Sequence, residues 1–214
     1  MIRRRMVVGG LVAMAADPGL AMAQMLTPRI GPGPFYPPQI PPDHDWDLVR
    51  KGGETPAIGD VILIEGRVMM SGLSSVRPLP GATVEIWQAD ANARYIHPRE
   101  NFSTAPRDPG FQGYGTAMTD SEGRYRFRTI KPPAYPVPFP SGPRMRAPHI
   151  HFGVIVGGEK KLITQMFFAG EALNEGDFEL ATVAPERRSD LIVPLAASVV
   201  GSERRAQFDL VLGG

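Results

Sequence analysis

The chain has 214 residues, 43% hydrophobic and 21% charged, with 24 glycines, 23 prolines and no cysteine. That is the composition of a globular protein with one real core, and it excludes disulfides, thiolate metal sites and thiol nucleophiles. A formal net charge of +1 gives no bulk electrostatic basis for binding nucleic acid.

In chain order, the first feature is a leader. Arg3, Arg4 and Arg5 precede an apolar run from Met6 to Ala16, and Ala21-Met22-Ala23 is an A-x-A cleavage signature before Gln24. The run is too short to span a bilayer, and Asp17-Pro18 interrupts it. Residues 1–23 are therefore expected to be an export signal, and the paired arginines also permit a twin-arginine route. Cleavage removes three arginines and one aspartate and takes the formal charge from +1 to −1. The expected location is periplasmic with no membrane segment after cleavage, or cytoplasmic if the signal does not function.

Residues 24–58 read as an extended, Pro-rich arm. Gly31-Pro32-Gly33-Pro34-Phe35-Tyr36-Pro37-Pro38 cannot be helix or central strand and should wrap a surface. Asp43-His44-Asp45 reads as a turn or surface hydrogen-bond cluster.

Residues 59–214 read as the main domain. Gly59 to Met70 is a strong strand, Arg77 to Gly81 a turn, and Ala82 to Ala89 alternates Val84, Ile86 and Gln88 against Thr83, Glu85 and Trp87. After a turn at Asp120 to Gly123, Arg124 to Thr129 alternates again with Tyr125 and Phe127 inward. His149 to Val156 should pair with Leu162 to Phe168 across a turn at Gly157 to Lys160. Ala184 to Arg188 opens a short helix with Pro185 at its first position, and Gln207 to Leu212 closes the chain as a strand. The expected fold class is all-β: a β-sandwich with long connecting loops and at most one or two short helices.

His149 and His151 flank Ile150 on the third of these patterns. Successive strand side chains alternate, so both imidazoles project to one side and Ile150 to the other. Two converging neutral imidazoles make half a metal site; two histidines on a solvated strand face are the plainer alternative. Tyr95 lies just past the strand ending at Ala89, and Tyr135 sits between Pro133 and Pro136 in a segment expected to be loop. A phenol with a pKa of about 10 ionises at neutral pH only for a hard cation. Two tyrosinates with two imidazoles point to ferric iron over zinc or copper, although spacing alone does not select these two among the 5 tyrosines. His44 and His97 are not expected to be ligands.

Five stretches carry a resemblance. They are Asp43-His44-Asp45, Pro80 to Tyr95 (PGATVEIWQADANARY), Thr119 to Pro132 (TDSEGRYRFRTIKP), Arg146 to Phe152 (RAPHIHF) and Lys161 to Phe168 (KLITQMFF). In this order they resemble the intradiol ring-cleavage dioxygenases, most of all their protocatechuate-cleaving catalytic chains, from about Gly31 to the C-terminus. The resemblance implies ferric iron, Fe(3+), held by Tyr95, Tyr135, His149 and His151, with Tyr135 the ligand that leaves when substrate binds. It also implies that Arg146 stabilises charge on the substrate, that Gln165 lies beside the pocket, and that Trp87 packs near the site; plain core packing is the alternative for Trp87. The implied activity is O2-dependent cleavage of a catechol-type, protocatechuate-like ring to a cis,cis-muconate. The implied partners are that substrate and O2, with assembly as a homo-oligomer or with an alpha-type chain. In the resembled chains the axial tyrosine is followed by proline and tryptophan; here Pro136 is followed by Val137, so the pocket wall is remodelled. A competing reading is an exported metal-binding β-sandwich without catalysis.

Overall fold

Strand β1 (Val61–Ser71) runs for 11 residues, with Ile62, Ile64 and Val68 fully buried at alternate positions. It is followed by β2 (Val76–Pro78), β3 (Thr83–Trp87), β4 (Tyr114–Met118) and β5 (Arg124–Ile130). Next come β6 (Tyr135–Val137), β7 (Arg144–Arg146), β8 (His149–Val156) and β9 (Glu159–Phe168), then β10 (Ile192–Val193), β11 (Arg204–Gln207) and β12 (Leu210–Gly213). This computed structural model describes residues 26–53, 55–72, 75–100, 103–197 and 203–214. The expected export signal, 1–23, lies outside the described residues.

The strands form a β-sandwich. In one sheet β1 is central: its first half lies between β11 and β5, its second half between β12 and β2. The other sheet has the order β10-β9-β8-β3-β4, and β6 with β7 forms a separate two-stranded pair. Between the layers, Ile62, Ile64 and Phe127 face Val84, Ile86, Ile150 and Phe152 in one apolar core. Phe152 packs edge-on against Phe127 and Phe208 at 6.5 and 5.1 Å between ring centres. Truncating either of the fully buried Phe127 or Phe152 to alanine would cost about 3–5 kcal/mol. Among the described residues, helical structure is limited to four short 3-10 segments, of which Pro185–Leu191 is the expected helix, with its proline in the first turn. None is long and apolar enough to cross a membrane.

Four local expectations need correction. Arg77 and Pro78 are not turn but strand, paired with Met70 and Met69, and the turn is confined to Pro80 and Gly81. The hairpin turn after β8 is only Gly157-Gly158, both with positive φ (58° and 83°), which suits a two-residue connection. The closing strand is two strands, because Phe208 and Asp209 break away from regular pairing: Phe208 N–H donates to Glu65 O, and Asp209 Oδ1 accepts from the Arg67 N–H. Tyr135 begins strand β6 and is not in an irregular loop: Tyr135 pairs with Arg146 and Val137 with Arg144, so Pro136 sits in a pair that has no third strand to bond.

The arm from Leu26 onward is extended, as its prolines require, and it is pinned to both sheets. Thr27 N–H donates to Val211 O, Ile30 N–H donates to Ile163 O, and Thr164 Oγ1 donates to Pro28 O. It also buries Ile30 and Phe35, so it contributes to the interior and does not merely cover a surface.

Candidate metal centre and active site

Strand alternation divides β8. Ile150, Phe152 and Val154 enter the core between the sheets, and His149 and His151 face the outer side of the second sheet. That outer side is not solvated. The arm and the segments after β3 and β5 cover it with a second buried cluster of Phe35, Trp87, Ala89, Tyr95, Tyr114 and Tyr135. Both faces of β3 are therefore buried, and Glu85 and Trp87 are fully inaccessible.

The four residues singled out in the sequence converge there, each no more than 3% exposed. Tyr95 and Tyr135 hydroxyl oxygens are 3.0 Å apart, and His149 Nε2 lies 3.2 Å from Tyr135 Oη and 3.5 Å from Tyr95 Oη. His151 completes the group, with its ring 4.9 Å from that of His149 and 6.1 Å from that of Tyr95. A point equidistant from the three closest atoms lies about 1.9 Å from each, close to the ~2.0–2.2 Å at which imidazole nitrogen and hard oxygen donors bind metal ions.

The donor chemistry fits a hard cation. His149 Nδ1 donates to Ala147 O at 2.7 Å, which leaves the Nε2 lone pair aimed at the tyrosines. His151 Nδ1 is buried without a hydrogen-bond partner. Burial holds both imidazoles well below their ordinary pKa, so they are neutral donors; Arg146 pushes the same way on each. Burial also raises the phenols. Tyr95 is held well above the usual tyrosine range, first by burial and then by Tyr135, and Tyr135 is pushed up to about 12 by burial against the opposing charge of Arg146. Two protonated phenols in such a site ionise only for a strongly polarising ion. Among the described residues no three His, Asp or Glu side chains gather elsewhere into a competing metal site.

Around the cluster, Trp87 stacks flat on His151 at 4.9 Å and 9°, which fixes the imidazole plane. Arg146 is 3% exposed; its Nε donates to Asp177 Oδ2 at 2.8 Å and its Nη2 to Gln165 Oε1 at 2.6 Å. Gln165 in turn donates to Gly31 O at 3.2 Å, which ties the arm to the guanidinium. Behind Trp87, Glu85 Oε2 accepts from Tyr36 and Tyr114 hydroxyls at 2.9 and 2.8 Å, and Oε1 pairs with Lys160 at 2.5 Å. His97 is buried but stands apart from the donors, its Nδ1 accepting the Arg99 N–H at 3.1 Å. His44 faces Pro41 O and Pro42 O at the surface, consistent with a turn.

A cavity of about 200 Å³ opens onto this cluster. Tyr135, Arg146 and His151 form its polar end; Pro34, Phe35, Val137, Pro138, Phe139 and Phe178, with Glu179, form its walls. A larger groove, about 790 Å³, lies at the seam of β4 and β5 and contains none of the four donors. Sequence reading missed Phe35, Glu85, Asp177, Phe178 and Glu179. Only Glu85 gave a signal, as a charged residue inside an apolar strand.

A family model described as Dioxygenase matches residues 32–214. The chain is 39% identical over 182 residues to a protocatechuate 3,4-dioxygenase beta chain from Burkholderia cepacia, covering 81% of this chain and 73% of the relative. It is 31% identical over 180 residues to a catechol 1,2-dioxygenase from Acinetobacter baylyi, covering 79% of this chain but only 55% of that enzyme. Among solved structures, the dioxygenase domain of a carbohydrate-binding protein fusion from Streptomyces sp. SirexAA-E superposes with a TM-score of 0.61 at 27% identity, covering 88% of this chain and 98% of that one. A catechol 1,2-dioxygenase from an Acinetobacter species gives 0.64 at 28% identity, covering 87% of this chain and 62% of that one.

Proposed function

The chain belongs to the intradiol ring-cleavage dioxygenase family, and from that premise we propose that it is a ferric-iron enzyme that cleaves a catechol-type ring with O2 to a cis,cis-muconate. The observation that carries this reading is the buried triangle of Tyr95 Oη, Tyr135 Oη and His149 Nε2, beside His151 and open to a ring-sized cavity.

Tyr95, Tyr135, His149 and His151 would hold the ion. Bound there, ferric iron supplies the Lewis acidity that lets a catechol ionise at neutral pH and draws electron density from its ring so that O2 can react. The protein's own residues do the rest. Tyr135 Oη, alone of the two phenol oxygens, belongs to a residue lining the cavity, and is the atom placed to take a proton from an entering hydroxyl. Tyr95, out of the cavity wall with its oxygen 3.0 Å from that of Tyr135, would stay with the ion when substrate enters. Arg146 presents a fixed positive charge at the polar end, where the ionised diol must sit, and stabilises it. Gln165 acts through Arg146, as a positioning residue. Phe35, Val137 and Phe178 keep water from the ring.

Residues 1–23 are proposed to direct export, residues 24–58 to serve as an arm that completes the site, and residues 59–214 to form the catalytic domain. The beta-chain relative supports assembly with further copies or with an alpha-type chain. The test is an O2-uptake screen of the iron-loaded protein with protocatechuate, catechol and hydroxyquinol. A red-brown protein that consumes O2 with at least one of them is expected; a colourless protein, or one that consumes none, contradicts the proposal.

A further inference from the structure

We propose that this site selects catechols whose ring substituents are uncharged and apolar, and that Glu179 excludes those carrying a carboxylate. The inference rests on the reading of the site as a catechol-cleaving centre. A catechol must turn its two oxygens toward Tyr135 and His151, so the rest of its ring faces the cavity walls. Those walls are Pro34, Phe35, Val137, Pro138, Phe139 and Phe178, with one charged residue among them, Glu179, which acts electrostatically on Tyr135.

Size sets one limit. A dry cavity of ~150 Å³ admits benzene, so about 200 Å³ holds one ring with a small substituent. Charge sets the other. Arg146 is the one cation lining the cavity, and its guanidinium is already held by Asp177 and Gln165 at the polar end, where the ring oxygens sit. Arg144 stacks on Phe139 and Phe178, 5.1 and 4.8 Å from their ring centres, and is not among the residues that line the cavity. A carboxylate on the substrate would lose its hydration without gaining a free cation.

Glu179 makes this worse for an anion. Its main chain is fixed on both sides, with its N–H donating to Asp177 Oδ1 at 3.0 Å and its carbonyl accepting from Thr182 Oγ1 at 2.6 Å. Glu179 is half-buried, and its carboxylate enters no ion pair among the described residues. Glu179 lines the cavity and raises the Tyr135 phenol electrostatically, so a carboxylate brought in on the ring meets a like charge and is repelled. A methyl group or a bare ring edge meets only proline, valine and phenylalanine.

The test is anaerobic titration of the iron-loaded chain with catechol, 4-methylcatechol and protocatechuate, followed by the visible band and independently by calorimetry. Wild type should bind 4-methylcatechol at least about tenfold more tightly than protocatechuate, and Glu179→Gln should move that ratio toward protocatechuate by about tenfold. Glu179→Lys should move it further. Equal or tighter binding of protocatechuate by wild type, or a ratio unmoved in both variants, overturns the inference and leaves the catechol-cleaving reading standing. If none of the three binds, that reading fails and this inference with it.

Discussion

Arg146 and Asp177 are joined through a single carboxylate oxygen: Asp177 Oδ2 accepts both the Arg146 Nε–H at 2.8 Å and the Ala147 N–H at 2.9 Å. The other oxygen accepts the N–H groups of Glu179 and Leu180 at 3.0 Å. One side chain thus links the end of β7 and the residue after it to the segment bearing Phe178 and Glu179. Asp177→Ala strands a buried guanidinium and should cost about 3–5 kcal/mol. Urea unfolding of the two proteins measures it, and an unchanged midpoint would refute the role.

The two tyrosines should behave differently. Tyr135→Phe keeps three donors and should retain iron through dialysis, yet slow catechol turnover by about 100-fold through loss of the proton acceptor. Tyr95→Phe removes the phenol that does not line the cavity, where no substrate oxygen can take its place, and should lose iron readily. Iron stoichiometry beside stopped-flow catechol binding separates the two. Wild-type turnover by Tyr135→Phe is incompatible with the proposed proton transfer.

Much of this was legible in the residues. Alternating apolar patterns located β1, β3, β5, β8 and β9, since their periodicity reflects one face packed on the core. The H-x-H spacing placed both imidazoles on one face for the same reason. The tyrosines were different: no spacing rule joins Tyr95 to Tyr135, and family resemblance was needed to choose them. Asp177 was illegible because its partner lies 31 residues away and its own segment has no periodic pattern. Phe35 was hidden by its prolines, which announced an extended arm but not that the arm enters the interior. The β6–β7 pair was masked by Pro136, whose missing N–H is harmless in a two-stranded pair.

Acid should destabilise the iron-free fold earlier than carboxylate titration alone would. His149 and His151 have folded pKa values well below the ordinary ~6.5, so on acidification the unfolded chain takes up their protons first. Their contribution is complete above that value and falls away as pH drops below it. Denaturant midpoints at pH 7.5 and 5.5 should show a loss that is reduced in the His149→Gln/His151→Gln double variant. An identical loss in both proteins argues against neutral buried imidazoles.

Metal loading should release protons. With both phenols protonated and both imidazoles neutral near pH 7, binding of ferric iron should expel about two protons, so affinity rises about 100-fold per pH unit. Calorimetry in buffers of different ionisation enthalpy counts them. Release of none would remove the tyrosines from the ligand set.

His97→Ala should still bind one iron per chain, because its imidazole is committed to the loop at Arg99 and not to the donor cluster. Metal analysis and the visible band check this. Loss of both would make His97 a ligand.

The central claim is that the four-residue cluster supports intradiol cleavage, and the most direct test follows the oxygen atoms. The iron-loaded protein is supplied with a catechol under 18O2, and the product is analysed by mass spectrometry. The account predicts a cis,cis-muconate carrying both labelled atoms, formed by wild type and lost in His149→Ala. An unlabelled or singly labelled product, or a ring opened outside the two hydroxyl-bearing carbons, would contradict it.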